Sequence, residues 1–123
     1  MSIGAAIRIT SQDEERVIER AAAFAAEGSE PCFVFSIVDR LPHGTMNDES
    51  QHVVTRNLEM IRDAAASPVF QEGDDVAKAL LTVARLFGIR TLFVRNGTPP
   101  VLGRSIAEKL LELDPPFDVV VVN

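Results

Sequence analysis

The sequence predicts an α/β fold built on a parallel sheet, and three observations carry that reading. Short apolar runs of strand composition alternate with stretches whose apolar residues recur every three to four positions, giving strand-helix four times and then a final strand. Residues 32–38, Cys-Phe-Val-Phe-Ser-Ile-Val, are apolar almost without interruption, which implies burial on both faces, as in a parallel sheet covered by helices. Glycine, proline or a capping pattern punctuates the chain between elements, and such a βαβ series demands parallel pairing through right-handed crossovers.

Residues 5–10 are the first strand candidate, with Arg8 exposed and Thr10 at its end. Ser11-Gln12-Asp13-Glu14 is a Ser-x-x-Glu capping box, and the acidic residues 13–15 suit the positive end of a helix dipole. Behind it Val17, Ile18, Ala21, Phe24 and Ala25 form a buried stripe, and Gly28 is the expected stop. After the strand 32–38, residues 39–50 (DRLPHGTMNDES) read as a long polar loop, a mobile flap. Asp48 is the expected cap of the next helix, whose inner face is Val53, Val54, Leu58, Ile61 and Ala65. Ser67-Pro68 breaks that helix, and residues 69–71 form a short strand.

Gly73-Asp74-Asp75 then opens a helix along Val76, Leu80, Leu81, Ala84 and Phe87, with Asp74-Asp75 as an N-cap pair and Gly88 as the stop. Residues 91–94 are a strand, and the loop Arg95-Asn96-Gly97-Thr98-Pro99-Pro100 follows directly. Ser105-x-x-Glu108 is a second capping box, continued by Ile106, Leu110, Leu111 and Leu113. The last strand, 117–123, opens at Phe117 and closes on Asn123. It is long and apolar, with no lysine or proline to protect an edge.

A chain of 123 residues fits a single domain, 1–123, and 46% hydrophobic with 24% charged residues is ordinary globular composition. The net charge of −6 argues against a nonspecific binder of nucleic-acid backbones. One cysteine, Cys32, forms no internal disulfide, so the cytoplasm is the default compartment. No apolar run approaches the roughly 20 residues of a membrane span. His43 and His52 lack metal-ligand spacing. No nucleophile-base arrangement or paired general acid and base stands out, so no enzyme is expected.

Gly73-Asp74 followed by Val76-Ala77, Leu80-Leu81 and Ala84, then a strand, a loop ending in Gly and Ser, an amphipathic helix and a valine strand, resembles the second half of a universal stress protein (UspA-like) domain. Leu102-Gly103-Arg104-Ser105-Ile106-Ala107-Glu108-Lys109-Leu110-Leu111 most resembles the stress-protein-like segment of Kdp-type potassium-sensing histidine kinases. The resemblance implies a three-layer α/β/α sandwich with a five-stranded parallel sheet in the order 3-2-1-4-5, related to the adenine nucleotide α-hydrolases. It implies a homodimer through the last strand as well.

In that order the winding reverses between strands one and four, where open α/β sheets bind ligands. The crevice would be bordered by Thr10, Ser11, Val38 and Asp39, and by Gly97, Gly103, Arg104 and Ser105. The ATP-binding branch of the family carries an Asp near the position of Thr10 and a longer glycine loop after strand four. Here Pro99-Pro100 removes two backbone donors, and Arg104 intervenes between Gly103 and Ser105. The motif is degenerate, with Arg95 and Arg104 the side chains left to meet an anion. The expectation is therefore a universal stress protein-like regulator acting by dimerisation and contacts with an unknown protein partner. The alternative is a sensor that holds an adenine nucleotide or cyclic dinucleotide in the crevice.

Overall fold

The computed structural model describes residues 1–38, 48–95 and 105–123. Its elements run β1 (Ser2–Ile7), α1 (Glu15–Glu27), β2 (Cys32–Val38), α2 (Asp48–Asp63), β3 (Ser67–Glu72), α3 (Val76–Leu86), β4 (Ile89–Arg95), α4 (Ile106–Glu112) and β5 (Asp118–Val122). All five strands are parallel, in the order β3-β2-β1-β4-β5.

Alternation along the strands divides the core in two. Ile3, Ala5, Val34, Phe93 and Val122 meet Val17, Ile18 and Ala21 of α1 and Ile61 of α2 on one face. Phe35, Leu92 and Val94 meet Ala77, Leu80 and Val83 of α3 and Leu110 of α4 on the other. This is the three-layer arrangement, and it explains why β2 and β4 read as continuous apolar runs.

β1 lies three residues earlier than its composition suggests. Ser2, Gly4, Ala5 and Ala6 are poor strand formers, but they occupy the centre of the sheet with neighbours on both sides. Small size is what the position needs: a Cβ on Gly4 would stand 2.8 Å from Phe35 Cε2 and 3.0 Å from Leu92 Cδ1. β3 likewise takes in Ser67 and Pro68, which had read as a break. It is an edge strand, where a proline removes no necessary ladder donor.

Several helix ends differ from their sequence signals. α1 ends at Glu27 with Gly28 as its C-cap, the expected stop, and the left-handed residue is the next one, Ser29 at φ 52°, with Glu30 N–H donating to Ala25 O at 2.9 Å and Ser29 N–H to Ala26 O at 3.2 Å. Gly28 itself, at φ −94°, has no left-handed backbone that requires glycine. Its lack of a Cβ serves another purpose, because a Cβ there would lie 2.6 Å from Glu30 Oε1. That carboxylate grips Arg90 through bonds of 2.6 to 2.9 Å, and Arg90 stacks over Phe24 at 4.9 Å.

α2 spans Asp48–Asp63, so residues 48–50 belong to its first turn rather than to a loop, and Asp48 is one of that turn's two acids. The rest of the expected flap, 39–47, lies outside the described residues. α2 closes at Ala65, which is exposed at φ 58° instead of facing the core. α3 buries Ala77, Leu80, Val83 and Ala84, while Val76 is turned outward. Asp75 caps it by accepting from Lys78 N–H at 3.2 Å, and Gly88 takes the left-handed conformation after it, φ 65°. No helix among the described residues is long and apolar enough to cross a membrane.

Candidate functional site at the carboxyl ends of β1 and β4

β1 is followed outward by β2 and β3, and β4 by β5, so the winding reverses between β1 and β4. The segment leaving β1 turns sharply, with Ser11 N–H donating to Arg8 O at 2.9 Å, and reaches α1 at Glu15. Ser11 is not the N-cap. Glu14 is, with φ −98° and ψ −5°, and no side chain caps the helix. The capping-box pattern fails because both of its side chains are engaged elsewhere.

Arg95, the last residue of β4, engages them. Its Nη1 donates to Ser11 Oγ at 3.0 Å and to Glu14 Oε1 at 3.3 Å, and its Nη2 to Asp13 Oδ2 at 3.4 Å. One guanidinium thus ties the end of β4 to three residues of the β1–α1 segment, across the point where the winding reverses. The Glu14 side chain is 3% exposed, and its Oε2 has no hydrogen-bond partner among the described residues. A buried carboxylate is stable only beside compensating charge. Arg95 supplies it, with the positive end of the α1 dipole alongside.

A second anchor comes from α2. Asn57, 1% exposed, donates from Nδ2 to Ile9 O at 2.7 Å and to Ser11 O at 2.9 Å. These carbonyls belong to a segment outside the β-ladder, and one amide satisfies both. Asn57 was not among the expected site residues, yet it lies between Val53 and Ile61 on the inward stripe of α2, where a polar residue needs a buried partner.

Beside this junction lies an open cleft of about 790 Å³. Its wall carries Asp13, Glu15 and Glu19 against Arg16, Arg56 and Arg95, and it continues to Val122 and Asn123 at the end of β5. Among the described residues, three acids and three arginines balance in the wall. Arg16 is fixed there, its Nη1 donating to Asn123 O at 2.7 Å.

Of the expected site residues, Thr10 is exposed in the turn after β1 and Ser11 is held by Arg95. Val38 ends β2, its carbonyl accepting from Gly73 N–H at 2.9 Å. Ser105 caps α4, accepting from Glu108 N–H at 3.2 Å. Asp39, Gly97, Gly103 and Arg104 lie outside the described residues, as does His43. Arg95 is bound by carboxylates instead of standing open to an anion.

Cys32 is buried, which pushes its thiol up to about 11 and leaves it without thiolate character. His52 is exposed on α2. Among the described residues no group of three or more His, Cys, Asp or Glu side chains could hold a metal ion.

No family model matches the chain, and no curated protein does. Solved structures do. A universal stress protein from Archaeoglobus fulgidus aligns over 100% of this chain and 98% of its own, at 19% identity and a TM-score of 0.71. The fold is that of the universal stress proteins. The A. fulgidus protein in complex with dAMP matches at a TM-score of 0.69 and 18% identity, over 100% of this chain and 98% of that one. A universal stress protein in complex with cAMP matches at 0.71 and 17% identity, over 98% and 97% of the two chains. In this universal stress fold the Arg95 junction occupies the sheet's reversal point.

Proposed function

We propose that the chain is a universal stress protein-like regulator that acts by dimerising through β5 and by contacts with a protein partner. The reading is of a cytoplasmic, non-catalytic protein whose ATP-binding motif is degenerate. Within the superfamily we place it nearest the stress-protein-like domain of Kdp-type sensor kinases, on the sequence likeness over 102–111.

The observation that carries this reading is the contrast between the two sheet edges. β3, at one edge, is guarded by Pro68 and by the exposed Gln71 and Glu72. β5, at the other, has a single charge, Asp118 at its start, followed by four valines with no proline among them, and Val121 is 44% exposed. Among the described residues no strand pairs with the outer side of β5; an apolar edge of that kind favours addition of another strand, and two copies related by a twofold axis close the assembly.

Light scattering at micromolar concentration should report a dimer. Along β5 successive N–H groups alternate between β4 and the open edge, so Val120→Pro and Val121→Pro test one of each. The variant losing the outward donor should be a folded monomer by circular dichroism and scattering. A native chain that is monomeric at that concentration would sink the proposal.

The second reading is an adenine nucleotide bound in the crevice, favoured by the dAMP and cAMP complexes of the structural neighbours. A ligand at a hundredfold its dissociation constant stabilises by about 2.7 kcal/mol. Thermal unfolding with AMP, ATP, cAMP and cyclic di-AMP at millimolar concentration would reveal it. Absence of a shift leaves the dimeric regulator as the reading.

A further inference from the structure

β5 has opposite charge at its two ends on the face that meets α1. Val120 and Val122 pack into the α1-side core, and alternation puts Asp118, which is exposed, on that same face. At the far end Arg16 of α1 sits against the strand terminus through its bond to Asn123 O. A guanidinium has five N–H donors, so that bond leaves capacity for a carboxylate.

The geometry points to a cross-subunit ion pair: in the twofold assembly Asp118 of a second copy stands beside Val122 and pairs with Arg16, twice by symmetry, closing the open side of the cleft. The inference rests on the β5 dimer proposed above and adds its register. Directly opposed residues of an antiparallel pair share a face. The arrangement that pairs all five residues of β5 puts Val120 on the axis and Asp118 opposite Val122. Opposed Cβ atoms lie roughly 5 Å apart, within reach of a guanidinium already at the strand end.

The other charges nearby do not substitute for this pairing. Arg90, whose positive charge reaches Asp118 in its own chain, is held in a bidentate grip by Glu30. Asp13 is drawn to Arg95, and Glu15 and Glu19 lie on α1 around Arg16 along the cleft wall.

Charge reversal tests it. Arg16→Asp alone, or Asp118→Arg alone, opposes like charges twice, and sedimentation equilibrium should show dimers weakened roughly tenfold or more. Mixing the two variants opposes unlike charges at both contacts, so a heterodimer should form with affinity near that of the native dimer. Added salt should weaken the native dimer and tighten the Arg16→Asp dimer, a readout that survives if Asp118→Arg fails to fold. If both folded single variants dimerise as tightly as the native chain, or no heterodimer forms on mixing, the ion pair is overturned while the β5 dimer stands. A monomeric native chain would overturn both.

Discussion

Replacing Asn57 should destabilise the protein more than its volume accounts for. The residue is 1% exposed and donates to the Ile9 and Ser11 carbonyls at 2.7 and 2.9 Å. Asn57→Ala removes both bonds and leaves the Ile9 carbonyl buried without a donor, a loss of about 2 to 4 kcal/mol when the desolvation of an orphaned acceptor is included. For a domain whose total stability is of order 5–15 kcal/mol this is a large share. Urea unfolding should show it as a midpoint lowered by roughly 1–2 M at unchanged slope. Asn57→Leu separates packing from polarity, since it fills the space and supplies no donor. It should be no better than the alanine variant. Asn57→Asp is the sharper control, because a carboxylate only accepts and would face two carbonyl oxygens. Those oxygens and burial would raise its folded-state pKa, so the deficit is full at neutral pH and shrinks as pH falls through that raised value. An alanine variant within 0.5 kcal/mol of the native protein, or full recovery by leucine, would refute the assignment of Asn57 as a hydrogen-bonded anchor.

Two further outcomes follow from the same geometry. The Arg90 guanidinium holds the Glu30 carboxyl below its ordinary value, so its stabilisation is present above the ordinary carboxylate range and is lost as pH falls through the lowered folded value. Glu30→Gln should therefore close the stability gap to the native chain on acidification, and equal pH profiles would refute it. Ala65 occupies a left-handed conformation at φ 58° with Ala66 N–H donating to Ile61 O at 3.0 Å. Ala65→Gly should stabilise by about 0.5–1 kcal/mol, since relief of left-handed strain outweighs the glycine entropy cost, and a lowered melting temperature would count against this.

The sheet was legible because its signals are local. Residues 32–38 formed β2 with the predicted bounds, and Asp75, Gly88 and Ser105 each acted as their sequence positions suggested. Misreadings occurred where an element's reason lies elsewhere in the chain. Ser2 to Ile7 form a strand because β2 and β4 flank them, not because their composition asks for it. Gly28 did cap α1, but the second use of its small size, admitting a Glu30 carboxylate aimed at a residue 60 positions away, has no local signal. Asn57 was available to inspection as a polar residue on an apolar stripe. The carbonyls it serves, 46 and 48 positions distant, were not.

Arg95 shows most sharply why the site was harder to read than the fold. From sequence it is a strand-end arginine beside a glycine-proline loop, and an incoming anion is its obvious partner. In the folded chain its partners are Ser11, Asp13 and Glu14, more than 80 positions earlier. An anion taking Arg95 would leave the Glu14 carboxylate, 3% exposed, without the charge that compensates its burial. The junction therefore opposes displacement of Arg95 by phosphate, while the described residues of the remaining wall, Glu15 and Glu19 against Arg16 and Arg56, balance in charge. Both facts weigh against tight seating of a polyphosphate here. The outer side of β5, which no strand among the described residues pairs, is where the proposed partner would add.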